Sequence, residues 1–330
     1  LGDEVNSFLS TNLPKFEQIF VAIFGFFAIL LLIFYIAGKA NGRKQRPIAI
    51  VVLLGPAMIL LLAGLIVPAV QTILFSFKDA NSVKYVGFQN YSWIIHDPDI
   101  HKVLFNTLLW IIITPFATTA LGLFLAIMLD RMKRESIAKS LLFMPMAISF
   151  VGASVIWKFV YNFAVPGKPQ TGLLSAIVRG LGFKPSNWIL TQPLNTFLLM
   201  IIFIWVQTGF GMVILSAAIK AVPADIVEAS ALDGASGWKL FKGVTFPMVR
   251  STFIVVLATM LVTSLKLFDI VRTMTGGNFG TSVIANEMYS EVFVRFDQGR
   301  GSALAVILFV FVTPILVFNI RSLRRERSIA

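Results

Sequence analysis

Apolar residues in this chain fall in unbroken blocks rather than in stripes. Seven stretches contain no Asp, Glu, Lys or Arg: residues 18–38, 47–77, 103–129, 140–157, 185–219, 251–265 and 301–320. A bilayer core about 30 Å thick takes roughly 20 residues of helix, so each block predicts one crossing helix. None has room for two crossings and a turn. The fifth block opens on Pro185, Ser186, Asn187 and Pro193, which puts the start of its helix near Leu194. The sixth block, 251–265, is short and reaches crossing length only with Lys266 and Asp269 inside the helix. Residues 161–193 are rich in Gly and Pro and predict an ordered cap with one short helix at 173–180. The expectation is an all-α membrane protein with about seven transmembrane helices.

Composition and charge sharpen this picture. The chain has 330 residues, of which 57% are hydrophobic and 13% charged, about half the roughly 25% charge of a soluble domain. Its 28 Lys and Arg exceed its 16 Asp and Glu, for a net charge of +12. In a soluble chain that excess points to nucleic acid, but its distribution excludes that partner here. With the C-terminal tail in the cytoplasm, segments 39–46, 130–139, 220–250 and 321–330 each carry four basic residues, and the much longer outer segments share ten. The positive-inside rule then places the N-terminus outside and the C-terminus inside, with anionic lipid as neighbour. Asp3, Glu4 and Glu17 precede a first apolar run too long for a cleaved signal. There is no Cys, and the two His, His96 and His101, lie in a polar stretch. Disulfides, thiolate chemistry and Cys-based metal sites are excluded, and no catalytic or metal-binding residue is assigned.

The loop after the fifth span, 222–247, carries the strongest local signal. Pro223 suits a first helical position and Asp225 the positive end of the helix dipole. Ile226, Ala229 and Ala231–Leu232 form a narrow apolar stripe opposite Asp225 and Glu228, and Asp233-Gly234 breaks the helix. A second short helix from Ser236 carries Trp238, Phe241 and Val244 on one face until Pro247 stops it. Such a helix–turn–helix either lies on the membrane surface or plugs a groove on another protein.

The residues Glu228-Ala229-Ser230, Gly234 after three more, and Val244-x-Phe246-Pro247 after a further nine resemble the Glu-Ala-Ala loop of binding-protein-dependent ABC importer permeases. That family's pattern is Glu-Ala-Ala-x3-Gly-x9-Ile-x-Leu-Pro. Ser230, Val244 and Phe246 are mild departures within intact spacing. Further along the chain, Gly87-Phe88-Gln89-Asn90-Tyr91, Asn106-Thr107, Trp157-Lys158, Gly172-Leu173-Leu174, Asn187-Trp188, Phe268-Asp269-Ile270 and Thr275-Gly276-Gly277 resemble carbohydrate importers, specifically the first of the two permeases of maltose-type systems. The resemblance implies a type I ABC importer transmembrane domain. Its core of six helices occupies 46–330, and 1–45 supplies an external segment and one extra helix.

The same resemblance implies that the loop is a coupling helix seated in a cytosolic ATPase. Glu228 is then the salt-bridging glutamate and Gly234 the turn glycine, with Ala229, Ser230, Asp233 and Pro247 completing the contact. It further implies sugar contacts at Gln207 and Phe210 on the fifth span and at Thr263, Ser264 and Leu267 on the sixth. The bare chemistry leaves open that the Thr and Ser only pack between helices. Lys266 and Asp269 either pair within one helix or face the pathway. The implied complex has a second, unlike permease, two copies of an ABC ATPase, an external solute-binding protein and a sugar, with an alpha-linked di- or oligosaccharide preferred. No G-x4-G-K-[ST] loop occurs, so ATP and Mg belong on the partner ATPase and this chain holds no cofactor. The alternatives are the same machine carrying a non-sugar or modified-sugar solute and, from other classes, an ion-coupled secondary transporter or an intramembrane enzyme. Asp269 is the lone carboxylate near a span that either of the last two could use.

Overall fold

A computed structural model describes residues 45–130, 132–165, 167–169 and 171–327, with scattered positions between 18 and 35. The acidic N-terminal segment, much of the first expected span and basic residues 39–44 lie outside the described residues. Contacts divide the chain into two compact units, Leu1–Gln71 and Thr72–Ala330. In the first unit, helix α1 (Gln45–Leu61) passes through a π turn at Leu62–Ile66 into α2 (Val67–Phe75). Pro68 explains the turn. Proline has no N–H to give and its ring crowds the carbonyl four residues back, and a widened turn relieves both. The apolar stretch Leu53–Phe75 buries none of its side chains within the chain.

The second unit is built around two long helices, α4 and α8. A short helix, α3 (Gln89–His96), leads to α4 (Pro98–Leu129). Asp97 caps α4 by accepting from Asp99 N and Ile100 N at 2.9 and 3.3 Å, and Pro98 takes the first helical position. That cap starts the helix five residues before the apolar block. Burial pushes the Asp97 carboxyl up, but its two backbone hydrogen bonds and the Trp93 indole bring it below the ordinary carboxylate value. Helix α8 (Leu194–Lys220) begins where the sequence places it.

Helices α4 and α8 meet through glycine. A Cβ on Gly122 would lie 2.9 Å from Met212 N and 3.0 Å from the Gly211 carbonyl carbon. Two residues along α8, a Cβ on Gly209 would lie 2.6 Å from the Leu142 carbonyl oxygen. Leu142 belongs to α5 (Glu135–Phe143), so small residues let α8 touch both neighbours backbone to backbone. Above the crossing, Trp110 meets Phe203 edge-on at 6.2 Å and Phe150 stacks on Phe203 at 5.6 Å. Trp110 and Phe203 are fully buried.

Two expected spans take a different form. The fourth, 140–157, is not one rod. Glu135–Ala147 and Phe150–Val160 (the latter α6) meet at 100°. Pro145 tightens Met144–Ala147 into a 3-10 turn, and Ser149, in extended conformation, caps α6 by accepting from Gly152 N at 3.1 Å. The sixth lengthens at its other end. Helix α10 (Gly237–Leu240), a π turn at Phe241–Thr245 and α11 (Phe246–Leu265) form one apolar run, Gly237–Leu265, of 29 residues. Lys266 caps that helix, and Asp269 opens a separate helix, α12 (Asp269–Met274). They share no helix, and no ion pair joins them among the described residues. Pro247 does not stop its helix either, because the π turn absorbs it as the earlier one absorbs Pro68.

The Gly- and Pro-rich segment 161–193 contains α7 (Leu173–Gly180), as the sequence predicts. Ser175 donates to Asn162 O at 2.9 Å and accepts from the Trp188 indole at 2.8 Å. Helices α13 (Ile284–Phe293) and α14 (Gln298–Arg327) complete the chain, and α14 carries the seventh expected span. Among the described residues, four helices are long and apolar enough to cross a membrane, and the bent pair makes a fifth.

Candidate functional site

The loop 222–247 folds as a helix, a glycine turn and a second helix. Helix α9 (Ala224–Leu232) follows Pro223, which sits one position earlier than expected, as the cap rather than the first helical residue. Its end is closed by Gly234 N on Ala231 O at 3.0 Å and by Ala235 N on Ser230 O at 2.9 Å. Gly234 has φ +82°, the left-handed turn that favours glycine. Ser230 uses its hydroxyl on Ile226 O at 2.7 Å, so replacing the usual alanine leaves no unsatisfied group. Glu228, Ala229, Asp233, Gly234 and Pro247 are exposed and Ser230 is half-buried. Glu228 pairs with no cation among the described residues. The apolar stripe also lacks cover: Leu232 is 89% exposed, Trp238 72% and Ile226 42%. An unpaired carboxylate beside uncovered aliphatic and indole surface is what a docking helix presents.

The roots of this loop are tied by charge. Lys220, the last residue of α8, donates to both oxygens of Glu135 at 2.7 and 2.8 Å and lies 3.8 Å from Asp130. Lys139 pairs with the same Glu135 and donates to Ser216 Oγ. Glu135–Lys139 is visible in the sequence as a four-residue helical spacing. Lys220 lies 85 residues further on, and no local pattern announces it.

Four of the five proposed solute contacts sit on α8 and α11, Leu267 lies just past the end of α11 rather than on it, and the five differ in access. Gln207 and Phe210 on α8 and Thr263 on α11 are half-buried, while Ser264 and Leu267 are buried. Phe210 and Leu267 belong to the core cluster around Trp110 and Phe203. Thr263 donates to Thr259 O at 2.9 Å. Ser264 donates to Trp110 O and accepts from Thr114, both at 3.0 Å, stitching α11 to α4. Ser264→Ala is therefore expected to cost about 1 kcal/mol of stability and to leave solute affinity unchanged. Melting temperature and ligand binding on the same preparation check this, and weakened binding at wild-type stability refutes the packing role.

Several motifs that marked the resemblance turn out to staple the end of the bundle where α4 begins. Asn106 donates to Gly280 O and Ser282 O at 2.7 and 3.0 Å, and Thr107 accepts from Ile284 N at 2.9 Å. They clamp the turn that Thr275-Gly276-Gly277 opens, in which Gly276, Gly277, Phe279 and Gly280 all have positive φ. Asn90 likewise donates to Ser76 O and Lys78 O at 2.9 and 2.8 Å. Beside the clamped turn lie two depressions of about 260 and 350 Å³, which share Lys102, Asn106, Gln192 and Gly280. An ion cluster missed from sequence stands at the edge of the first, where the half-exposed Arg295 bridges the buried Glu287 and Glu291 at 2.6 and 2.5 Å. Burial pushes the Glu291 carboxyl above its ordinary value against the pull of Arg295. The four-residue steps from 287 to 291 to 295 were the available signal.

Residues 102–325 match the family described as binding-protein-dependent transport system inner membrane component. The osmoprotective compounds uptake permease protein of Synechocystis sp. is 47% identical over 83% of this chain and 98% of its own length. The alpha-glucoside transport system permease protein of Rhizobium meliloti is 45% identical over 83% of this chain and 82% of its own. In a crystal structure of a bacterial alginate ABC transporter, bound to an alginate pentasaccharide-loaded periplasmic protein, one chain superposes with a TM-score of 0.74. That match has 19% identity and covers 86% of this chain and 96% of that one.

Proposed function

The chain belongs to the binding-protein-dependent transport system inner membrane components, and from that premise we propose that it is the first of two unlike permeases in an ATP-driven importer of an alpha-linked glucoside or short oligosaccharide. It is a transport subunit rather than an enzyme, set in the inner membrane by several crossings. Two copies of an ABC ATPase supply ATP hydrolysis with their own Mg, and an external solute-binding protein delivers the sugar. The N-terminus lies outside and the tail in the cytoplasm, as the basic residues argue. The observation that carries the reading is the exposed, uncovered helix–turn–helix of 222–247, with motif spacing intact and Glu228 unpaired among the described residues.

Alternating access follows from docking. When the ATPases close they carry α9 with them, and the roots of α4 and α8 follow, moving the cavity from one face to the other. Gln207, Phe210 and Thr263 meet the solute first, the amide and hydroxyl serving sugar hydroxyls and the ring a C–H face. Ser264 and Leu267 are buried behind them and hold the packing without meeting the solute. The alpha-glucoside relative supports the sugar. The Synechocystis relative supports a second reading, the same machine carrying an osmoprotective solute.

The test is uptake into proteoliposomes holding this chain, its second permease and the ATPase, with binding protein and ATP. Labelled alpha-glucosides are expected to accumulate when ATP is present and ion gradients are collapsed. Uptake that survives ATP removal and follows an ion gradient refutes the proposal. ATP-driven uptake of an osmolyte with no alpha-glucoside competition selects the second reading.

A further inference from the structure

We propose that Lys220 is a positioning residue for energy coupling, the pin of an ion-pair latch that makes the bundle follow the docking helix. The inference rests on the reading of α9 as the ATPase-docking helix. Helix α8 ends at Lys220, and only residues 221–223 separate it from α9. Movement of α9 reaches α8 through this short joint, and the apolar seat beneath it is hollow. A cavity of about 210 Å³ lies there, lined by Ile127, Ile219, Val222, Val227 and Leu240, with Asp130 among them. Close-packed interiors transmit displacement, whereas an empty space lets one wall move without the other.

What bridges the gap is polar. Lys220 holds both oxygens of Glu135, the first residue of α5, and approaches Asp130, the cap at the end of α4. Lys139 ties Glu135 back to Ser216, one turn up α8. One residue at the base of the docking loop is thus fastened to the cytoplasmic ends of α4 and of the bent pair. The Glu135 and Lys139 side chains are only 21% and 16% exposed, against 52% for Lys220. Losing Lys220 leaves Glu135 neutralised by Lys139, so no buried charge is stranded and the fold does not depend on it. The joint with α5 and α4 does.

The experiment uses the assembled complex in proteoliposomes and reads sugar molecules imported per ATP hydrolysed. Lys220→Met is expected to assemble with its partners and hydrolyse ATP while importing about tenfold less sugar per ATP. Lys220→Arg, which keeps the charge and reach, is expected within about twofold of wild type. Because the chain has no Cys, Glu135→Cys with Lys220→Cys can be joined selectively by a short bis-maleimide, and joining is expected to restore the ratio in the same protein that lacked it. A wild-type ratio in Lys220→Met, or no gain on joining the two cysteines, overturns the latch. If the wild-type complex itself fails to couple ATP hydrolysis to sugar uptake, the transport reading falls and the latch with it. Wild-type transport with an unaffected Lys220→Met removes the latch alone.

Discussion

Gly122→Leu is expected to lower the melting temperature of the purified protein by on the order of 10 °C and to cut its yield from membranes severely. The cause is local. Where α4 crosses α8, the space that a leucine Cβ needs is held by Met212 N and the Gly211 carbonyl carbon, 2.9 and 3.0 Å away. Both are backbone atoms inside a helix, so no rotamer change relieves the contact, and the axes must separate. Separation loosens the packing of Leu123, Ala126, Met212 and Leu215, all buried in the cluster beside the crossing. Overpacking of this kind costs about 1–3 kcal/mol where side chains can yield, and backbone yields less, so roughly 3 kcal/mol is the floor. At about 2–4 °C per kcal/mol for a domain of this size, that floor gives the stated shift. Gly243→Ala is the control: a Cβ there meets nothing within 4 Å, and its melting curve is expected to overlay the wild type. A Gly122→Leu protein that melts with the wild type would show that α4 and α8 do not meet in this way.

The placement of helices was legible wherever burial in lipid alone decides it. The break at Pro185–Pro193 put the start of α8 at Leu194, and the Gly- and Pro-rich cap yielded its single helix at Leu173–Gly180. Failures arose where a local rule met a geometry it does not foresee. Pro247 reads as a helix stop because an α-helix has no place for its ring, and a π turn makes that place. Pro68 is answered in the same way. Once Pro247 lies inside the helix, the short apolar block 251–265 gains its length from Gly237 onward, and Lys266 and Asp269 need not enter the membrane helix. The bend at Ser149 hides inside an unbroken apolar run because hydropathy does not report direction. For the candidate site, the helix–turn–helix form of 222–247 was legible because its determinants are contiguous in the chain. Lys220 with Glu135 was not, since each is an unremarkable surface charge until the fold joins them.

Glu228→Ala is expected to weaken association of this chain with its ATPase by about 30-fold or more and to abolish sugar-stimulated ATP hydrolysis, with the melting temperature of the chain unchanged. Within the chain Glu228 is exposed and caps nothing, and among the described residues it has no cation, so its loss removes nothing that holds α9 together. In the proposed complex with the ATPase its surroundings differ. Leu232, Ile226 and Trp238 supply apolar surface on both sides of the turn, and a groove that covers them excludes water around the carboxylate as well. A salt bridge made there is desolvated, and truncating one partner leaves the other charge buried and alone, at about 2–5 kcal/mol. Since 1.4 kcal/mol is a factor of ten, the lower bound already gives the stated loss. Glu228→Gln separates charge from shape, because the amide fits the same groove but leaves the partner's cation unpaired; it is expected to fall nearly as far as alanine. Leu232→Ser is expected to weaken binding less and through faster dissociation. Titration of detergent-solubilised ATPase onto immobilised permease measures all three. Equal binding by Glu228→Ala and wild type would mean that this carboxylate stays in water in the complex, and the docking assigned to α9 would have to rest on its apolar stripe alone.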